Sequence, residues 1–255
     1  MARDFNGSSD YITVTDAASL DSTSALTVSV WAWADTNIGG TGNREIVRKN
    51  GNYILRQQYV VGPNTARLWF IWWDGTNLKY VEAATPTTGA WHHIVGIASG
   101  NDASKIYIDG VDSAGASASL GAGSRVLTNN VILGSEVGGG YWDGGIAEVA
   151  IDDAAWTADQ VQTVYRKGPF ALGLELGAYL PIFGAASPEP DWSGNGNSGA
   201  LTGTSLKDHP PVARPFDGAN WWPGAFTSSG GAAATPKLIG GNLIRPNLVR
   251  GRLAA

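Results

Sequence analysis

The chain has no cysteine and a single methionine among 255 residues. Without cysteine there is no disulfide and no thiolate metal site, which excludes the stapled scaffolds of small secreted domains. Charge is scarce as well: Asp, Glu, Lys and Arg make up only 15% of residues, and the formal net charge is −5. A mildly acidic chain lacks the basic face of a general nucleic-acid binder. No apolar run approaches the roughly 20 residues of a membrane span. The segment from Met1 to Tyr11 carries no apolar stretch behind its basic residue, so it does not read as a secretory signal. Neither nucleic acid nor membrane is therefore expected as a partner.

What is abundant points to strands. Hydrophobic residues reach 43%, with 35 glycines and 11 tryptophans. Many short aromatic-rich strands joined by tight turns have this composition. Alternation supports it. Leu26, Val28 and Val30 share one face of a strand, while Thr27, Ser29, Trp31 and Trp33 share the other. Leu68 to Trp73 is apolar on both faces and ends at Asp74-Gly75, a hairpin signal. Further strands are expected from Trp91, from Lys105 into Asp109-Gly110, at Val131 to Gly134 and at Ile146 to Ile151. One more is expected within Leu174 to Ile182. A single helix is predicted. Thr157 and Gln160 form a capping box, Val161, Val164 and Tyr165 make its apolar stripe, and Gly168-Pro169 stops it.

The character changes near the end. From Gly218 to Ala255 there is no acidic residue, and Lys237, Arg245, Arg250 and Arg252 give this stretch a charge of +4. The rest of the chain then carries −9. Asn242-Leu243-Ile244-Arg245-Pro246 is echoed by Asn247-Leu248-Val249-Arg250-Gly251. Such an asymmetric arm suits assembly, with Leu243, Leu248, Arg245, Arg250 and Arg252 as its contacts. The expected division is a sandwich over 1–206 and an extended Gly/Ala/Pro-rich basic arm over 207–255.

Five segments in order carry a family resemblance. They are Phe5 to Val14, Leu26 to Trp31, Gly89 to Ile94, Lys105 to Gly110 and Tyr141 to Val149. Together they resemble laminin-G-like domains of the concanavalin-A-like lectin and glucanase superfamily. The resemblance implies an all-β fold: an antiparallel β-sandwich (jelly roll) with one short helix. It also implies that a bound calcium ion is common, and it fixes no single function. Asp191 to Gly199 resembles a loop that usually precedes the opening strand, displaced here to follow the helix.

Calcium takes oxygen ligands. Asp191, Asn195 and Asn197 supply three in one glycine-rich loop, and Asp143 and Asp10 are expected to approach from family-equivalent turns. The same residue types also simply make turns. Trp31 and Trp91 are read as core. Trp33, Trp69, Trp72 and Trp73 alternate faces, so they cannot all be. They are either sugar-stacking aromatics or, the preferred reading, a generously aromatic core or protein interface. Glu148 and Asp152 share a strand face four residues apart, about 13 Å on an ideal strand. That is too far for a retaining glycosidase pair. Adjacent His92 and His93 face opposite ways and cannot chelate together. No catalysis is expected.

The resulting expectation is a non-catalytic virion component of a bacteriophage, a capsid decoration or tail protein. It would be oligomeric, assembled in the host cytoplasm, and docked through its arm onto other copies and a capsid or tail protein. The phage context comes from the family resemblance. The alternative is a soluble carbohydrate-binding module that recognises surface glycans. A glycoside hydrolase of the glucanase branch comes third.

Overall fold

A computed structural model describes residues 1–99, 104–136, 138–184 and 187–212. The chain opens with β1 (Ala2–Asn6), β2 (Tyr11–Val14) and the long β3 (Ala25–Ala34). A meander follows: β4 (Asn43–Lys49), β5 (Tyr53–Val60), β6 (Thr65–Trp73) and β7 (Asn77–Ala84). Next come β8 (Trp91–Ser99), β9 (Lys105–Ile108) and β10 (Val111–Asp112). After them run β11 (Ser117–Ala122), β12 (Val131–Leu133) and β13 (Asp143–Asp152). Helix α1 (Ala158–Lys167) precedes β14 (Ala178–Leu180), β15 (Gly199–Thr202) and β16 (Ser205–Lys207).

Two antiparallel sheets form the sandwich. The first has the order β10-β9-β8-β3-β13-β1-β16, with β14 also on β13. The second has the order β11-β7-β6-β5-β4-β12-β2-β15. Alternation places the core between them. Leu26, Val28 and Val30 from β3 meet Leu55, Leu68, Phe70 and Trp72 from the second sheet. The turns follow their chemistry. Asp74 Oδ1 accepts from the backbone N–H of Thr76 at 2.7 Å and of Asn77 at 2.6 Å, closing the β6–β7 hairpin.

Helix α1 forms as the sequence implies, with both halves of its capping box and Gly168 at φ 77 after its last turn. Its buried Val161 and Val164 pack with Val95, Ile97 and Ala150 on the outward side of the first sheet. Trp31 lies on that side too, ring-stacked with Tyr165 at 5.7 Å. Trp91 is only half-buried and donates from Nε1 to the Asp208 carbonyl at 3.0 Å. Both tryptophans therefore sit outside the inter-sheet core.

Two boundaries differ from expectation. Within Leu174 to Ile182 only Ala178–Leu180 is strand, because β14 meets just three residues of β13. At the other end, β16 runs through Lys207, and the chain stays packed as far as Val212. Lys207 Nζ bonds Asp4 at 2.8 Å and Asp35 at 3.2 Å, so the compact body passes the expected limit at 206. The arm residues Leu243, Arg245, Leu248, Arg250 and Arg252 lie outside the described residues.

Candidate functional site

A crevice between the sheets, beside Gln57, Thr87 and His92, has a cavity volume of only about 10 Å³, room for about one water molecule. Ordinary ligand pockets run from roughly 300 to 1,000 Å³. A surface is the better place to look. The first sheet carries α1 and the segment after β16 on its outward side. The outward side of the second sheet is where long polar and aromatic side chains gather.

Strand register sets out that face as rows. Glu45, Arg56, Trp69 and Glu82 stand opposite one another across β4, β5, β6 and β7. Arg48, Ile54, Ile71 and Tyr80 form the next row, and Asn43, Gln58 and Arg67 flank the other side. Four strands span about 14 Å at a spacing of roughly 4.8 Å.

The rows are cross-linked. Trp69 and Tyr80 stack with centroids 4.3 Å apart, and the Arg56 guanidinium lies 5.9 Å from the Trp69 ring. The result is a cation–ring–ring strip three strands wide. Beside it, Arg48 Nη1 donates to Glu45 at 3.1 Å and to Glu136 at 2.8 Å. Asn43 Nδ2 donates to Glu45 Oε1 at 2.5 Å, and Arg67 Nη2 to Glu82 at 3.1 Å. Glu45 is fully buried. Burial pushes its pKa above the usual carboxylate range, and Arg56 and Arg48 pull it part of the way back. Three atoms of this central row lack a hydrogen-bond partner: Glu45 Oε2, Arg56 Nε and Trp69 Nε1.

The four sequence-selected tryptophans part company here. Trp69 and Trp73 are half-exposed on this face. Trp72 is corrected to the core, since β6 turns Leu68, Phe70 and Trp72 inward together. Trp33 belongs to the first sheet, edge-on to Trp91 at 6.1 Å. Its ring already lies 5.1 Å from Lys207 Nζ. Arg56, Tyr80, Glu45 and Glu136 join the face without a motif in the sequence to mark them. Alternation in Asn77–Ala84 pairs Tyr80 with Glu82 on one face, but only register brings Trp69 beside them.

The expected calcium ligands do not converge. Asp191 accepts from the backbone N–H of Tyr179, Ser193 and Asn197 at 2.8 to 2.9 Å, and from Ser193 Oγ. Asn195 Nδ2 donates to the carbonyls of Leu176 and Gly177, and Asn197 Nδ2 to the Gly177 carbonyl and to Ser19 Oγ. Backbone donors thus fill the place of a cation. Asp10 lies at the far end of the β2–β15 pair, accepting from Asn6 N at 3.1 Å. Asp143, opposite Asn6 in the β1–β13 pairing, accepts from Thr36 Oγ1 at 2.6 Å. These five residues do not fit one calcium ion, and the loop's order comes from its own hydrogen bonds.

Glu148 and Asp152 lie on the opposite side of the molecule from the second sheet's face. Glu148 sits in a bulge of β13 at φ 53, where Ala147 and Ala150 change register against β3. Its carboxylate accepts from Tyr179 Oη and lies 3.0 Å from His209 Nε2. Asp152 accepts from Trp156 Nε1 at 2.5 Å. Both are buried. His92 and His93 diverge as alternation requires, His92 toward Asp109 at 2.8 Å and His93 toward Ser29 at 2.9 Å.

Comparison with known proteins extends this picture. The family model described as the concanavalin A-like lectin/glucanases superfamily matches residues 6–162. No curated protein matches. Among solved structures, a Bacteroides ovatus protein described as a candidate carbohydrate binding protein is similar at a TM-score of 0.56 and 18% identity. The match covers 83% of this chain and 61% of that one, so the chain spans under two thirds of that protein's length. A native heptameric SAP-like pentraxin from Limulus polyphemus matches at 0.43 and 20% identity, over 64% of this chain and 80% of that one. Domain 4 of an extracellular GH43 arabinanase from Geobacillus stearothermophilus, in complex with arabinotriose, matches at 0.44 and 22%, over 64% and 75%.

Proposed function

The chain belongs to the laminin-G-like family of the concanavalin A-like lectin/glucanases superfamily, and on that premise we propose that it is a non-catalytic carbohydrate-binding module. The observation that carries this reading is the outward row of the second sheet. There an Arg56–Trp69–Tyr80 strip lies among polar side chains, with unpaired atoms on Glu45, Arg56 and Trp69. Sugar rings present apolar C–H faces and a fringe of hydroxyls. An aromatic strip receives the first, and amide, carboxylate and guanidinium groups receive the second. The description of the Bacteroides ovatus neighbour, which shares the fold, is in keeping with this.

The non-catalytic part of the reading is supported by where the β13 carboxylates stand, and by the tying of Glu45, Glu82 and Glu136 beside the strip to arginines. Glu148 and Asp152 are buried and engaged by Tyr179, His209 and Trp156, away from the aromatic strip. Glycoside cleavage needs two carboxyl groups facing one bond, one of them able to give up a proton to it. The virion reading rests on the composition of the arm and on the family resemblance, and the carbohydrate reading, which has the face of the second sheet behind it, replaces it as the leading one.

Native affinity electrophoresis through gels containing soluble plant and bacterial polysaccharides tests the proposal. The parent chain is expected to be retarded by at least one polymer, and the Trp69→Ala, Tyr80→Ala double variant to run freely. Equal retardation of the two chains would move the site elsewhere, and free migration of both in every gel would end the carbohydrate reading.

A further inference from the structure

Resting on the carbohydrate reading, we infer that the face between β4 and β7 takes a neutral oligosaccharide and rejects acidic ones, because its charges are already balanced and its unpaired atoms demand a group that both donates and accepts. Each arginine of the rows has a carboxylate. Arg48 holds Glu45 and Glu136, Arg56 lies 3.4 Å from Glu45, and Arg67 lies 3.1 Å from Glu82. Three guanidinium groups thus meet three carboxylates. An incoming uronate or sulfate finds no surplus cation to pair with and would be desolvated beside like charge.

The unpaired atoms select the ligand further. Glu45 Oε2 is an acceptor, while Arg56 Nε and Trp69 Nε1 are donors. They belong to residues directly opposed across three neighbouring strands. A carboxylate or sulfate placed here only accepts, so it serves the two donors and leaves Glu45 Oε2 bare; an acidic sugar that turned its hydroxyls to these atoms would still bring its charge against groups already balanced. A sugar hydroxyl does both. Two adjacent hydroxyls give a proton bond to Glu45 Oε2 and take one each from Arg56 and Trp69. The Arg56 side chain is 18% exposed, Trp69 is partly exposed and Glu45 is covered, so a ligand lying along the strip meets these atoms as the Arg56 and Trp69 side chains turn aside for it. Leaving buried donors and acceptors unpaired disfavours the empty face, and a ligand that completes them recovers that loss.

Isothermal titration calorimetry of the full chain tests this with cellohexaose, xylohexaose and hexagalacturonate. At least one neutral hexamer is expected to bind, and hexagalacturonate to give no heat. Two near-isosteric variants locate the contact. Glu45→Gln replaces the acceptor, and Trp69→Phe removes the ring N–H while keeping an aromatic ring. Each is expected to weaken the neutral ligand roughly 3- to 10-fold, the range of one hydrogen bond, with unchanged circular dichroism. Binding of hexagalacturonate without the neutral hexamers would overturn the ligand class and leave the carbohydrate reading intact. Neutral binding that ignores both variants would overturn the assignment of these atoms. No binding by any of the three would overturn the assignment of this face to a neutral oligosaccharide, while the polysaccharide gels decide the carbohydrate reading separately.

Discussion

Glu45 stands directly opposite Arg56 in the β4–β5 pairing, fully buried, with one carboxylate oxygen facing no partner. Burial raises its pKa above the ordinary 4.5, with Arg56 and Arg48 opposing. In the unfolded chain the group returns to its ordinary value. The stability it contributes is therefore full below about 4.5 and is lost as pH rises through the folded value. At neutral pH its charge is a net burden on the fold. Glu45→Gln is expected to melt a few degrees higher than the parent at about pH 7.5, with the gap closing near pH 4. The same variant is expected to bind glycan more weakly. Gain in one property with loss in the other marks a group kept for its charge. A lower melting temperature at about pH 7.5 would assign Glu45 to structure instead.

His93 gives the opposite pH signature. It is buried against the rings of Trp31 and Tyr165, at 5.4 and 5.9 Å, with Nδ1 unpartnered. Burial lowers its pKa to about 3, a little offset by Asp109. The unfolded chain, near 6.5, takes up the proton first as pH falls. Stability from the neutral ring is complete above about 6.5 and is lost on going down toward 3. His93→Phe is expected to flatten this acid limb in melting curves taken between about pH 7 and pH 4. Parallel limbs for parent and variant would show that the ring is not held neutral.

Much of this architecture was readable, and the unread parts have physical reasons. Strand positions and the helix follow from alternation and capping, which are local. The face of a strand is local only when one side is polar. In Leu68 to Trp73 both sides are apolar, so alternation separates Trp69 from Trp72 without saying which one is inside. The row Glu45–Arg56–Trp69 depends on register across three strands and on a register shift between Glu45 and Val47. None of that is a local property. The loop from Asp191 to Asn197 shows the converse limit. Asp, Asn and Gly make metal loops and plain turns alike, and only the partners of the Asp191 carboxylate decide.

Gly96 on β8 tests the packing between the sheets. A Cβ placed there would stand 2.4 Å from Phe70 Cδ2 on β6. The ring fills the space that a side chain would need. Gly96→Ala is expected to destabilise the fold by about 1–3 kcal/mol, the usual range for overpacking. That corresponds to a drop of several degrees in melting temperature. Combining it with Phe70→Leu is expected to recover part of the loss, because the two sites share one volume. Additive losses in the double variant would show that the ring is not what the methyl meets.

Trp69 and Trp72 are three residues apart on one strand, and the structure gives them opposite duties. Trp72 is 2% exposed and packed in the inter-sheet core. Removing its side chain leaves a cavity, and Trp72→Ala is expected to cost about 3–5 kcal/mol of stability. Trp69 is half-exposed and stacks on Tyr80 above the sheet. Trp69→Ala gives up part of a surface stack and no core volume, so it is expected to cost under about 2 kcal/mol. Its larger effect should fall on glycan binding. Paired urea melts and polysaccharide-retardation assays separate the two outcomes. A Trp72→Ala chain that folds as stably as Trp69→Ala would mean that β6 has its faces the other way round, and the binding row would then have to be sought among Leu68, Phe70 and Trp72.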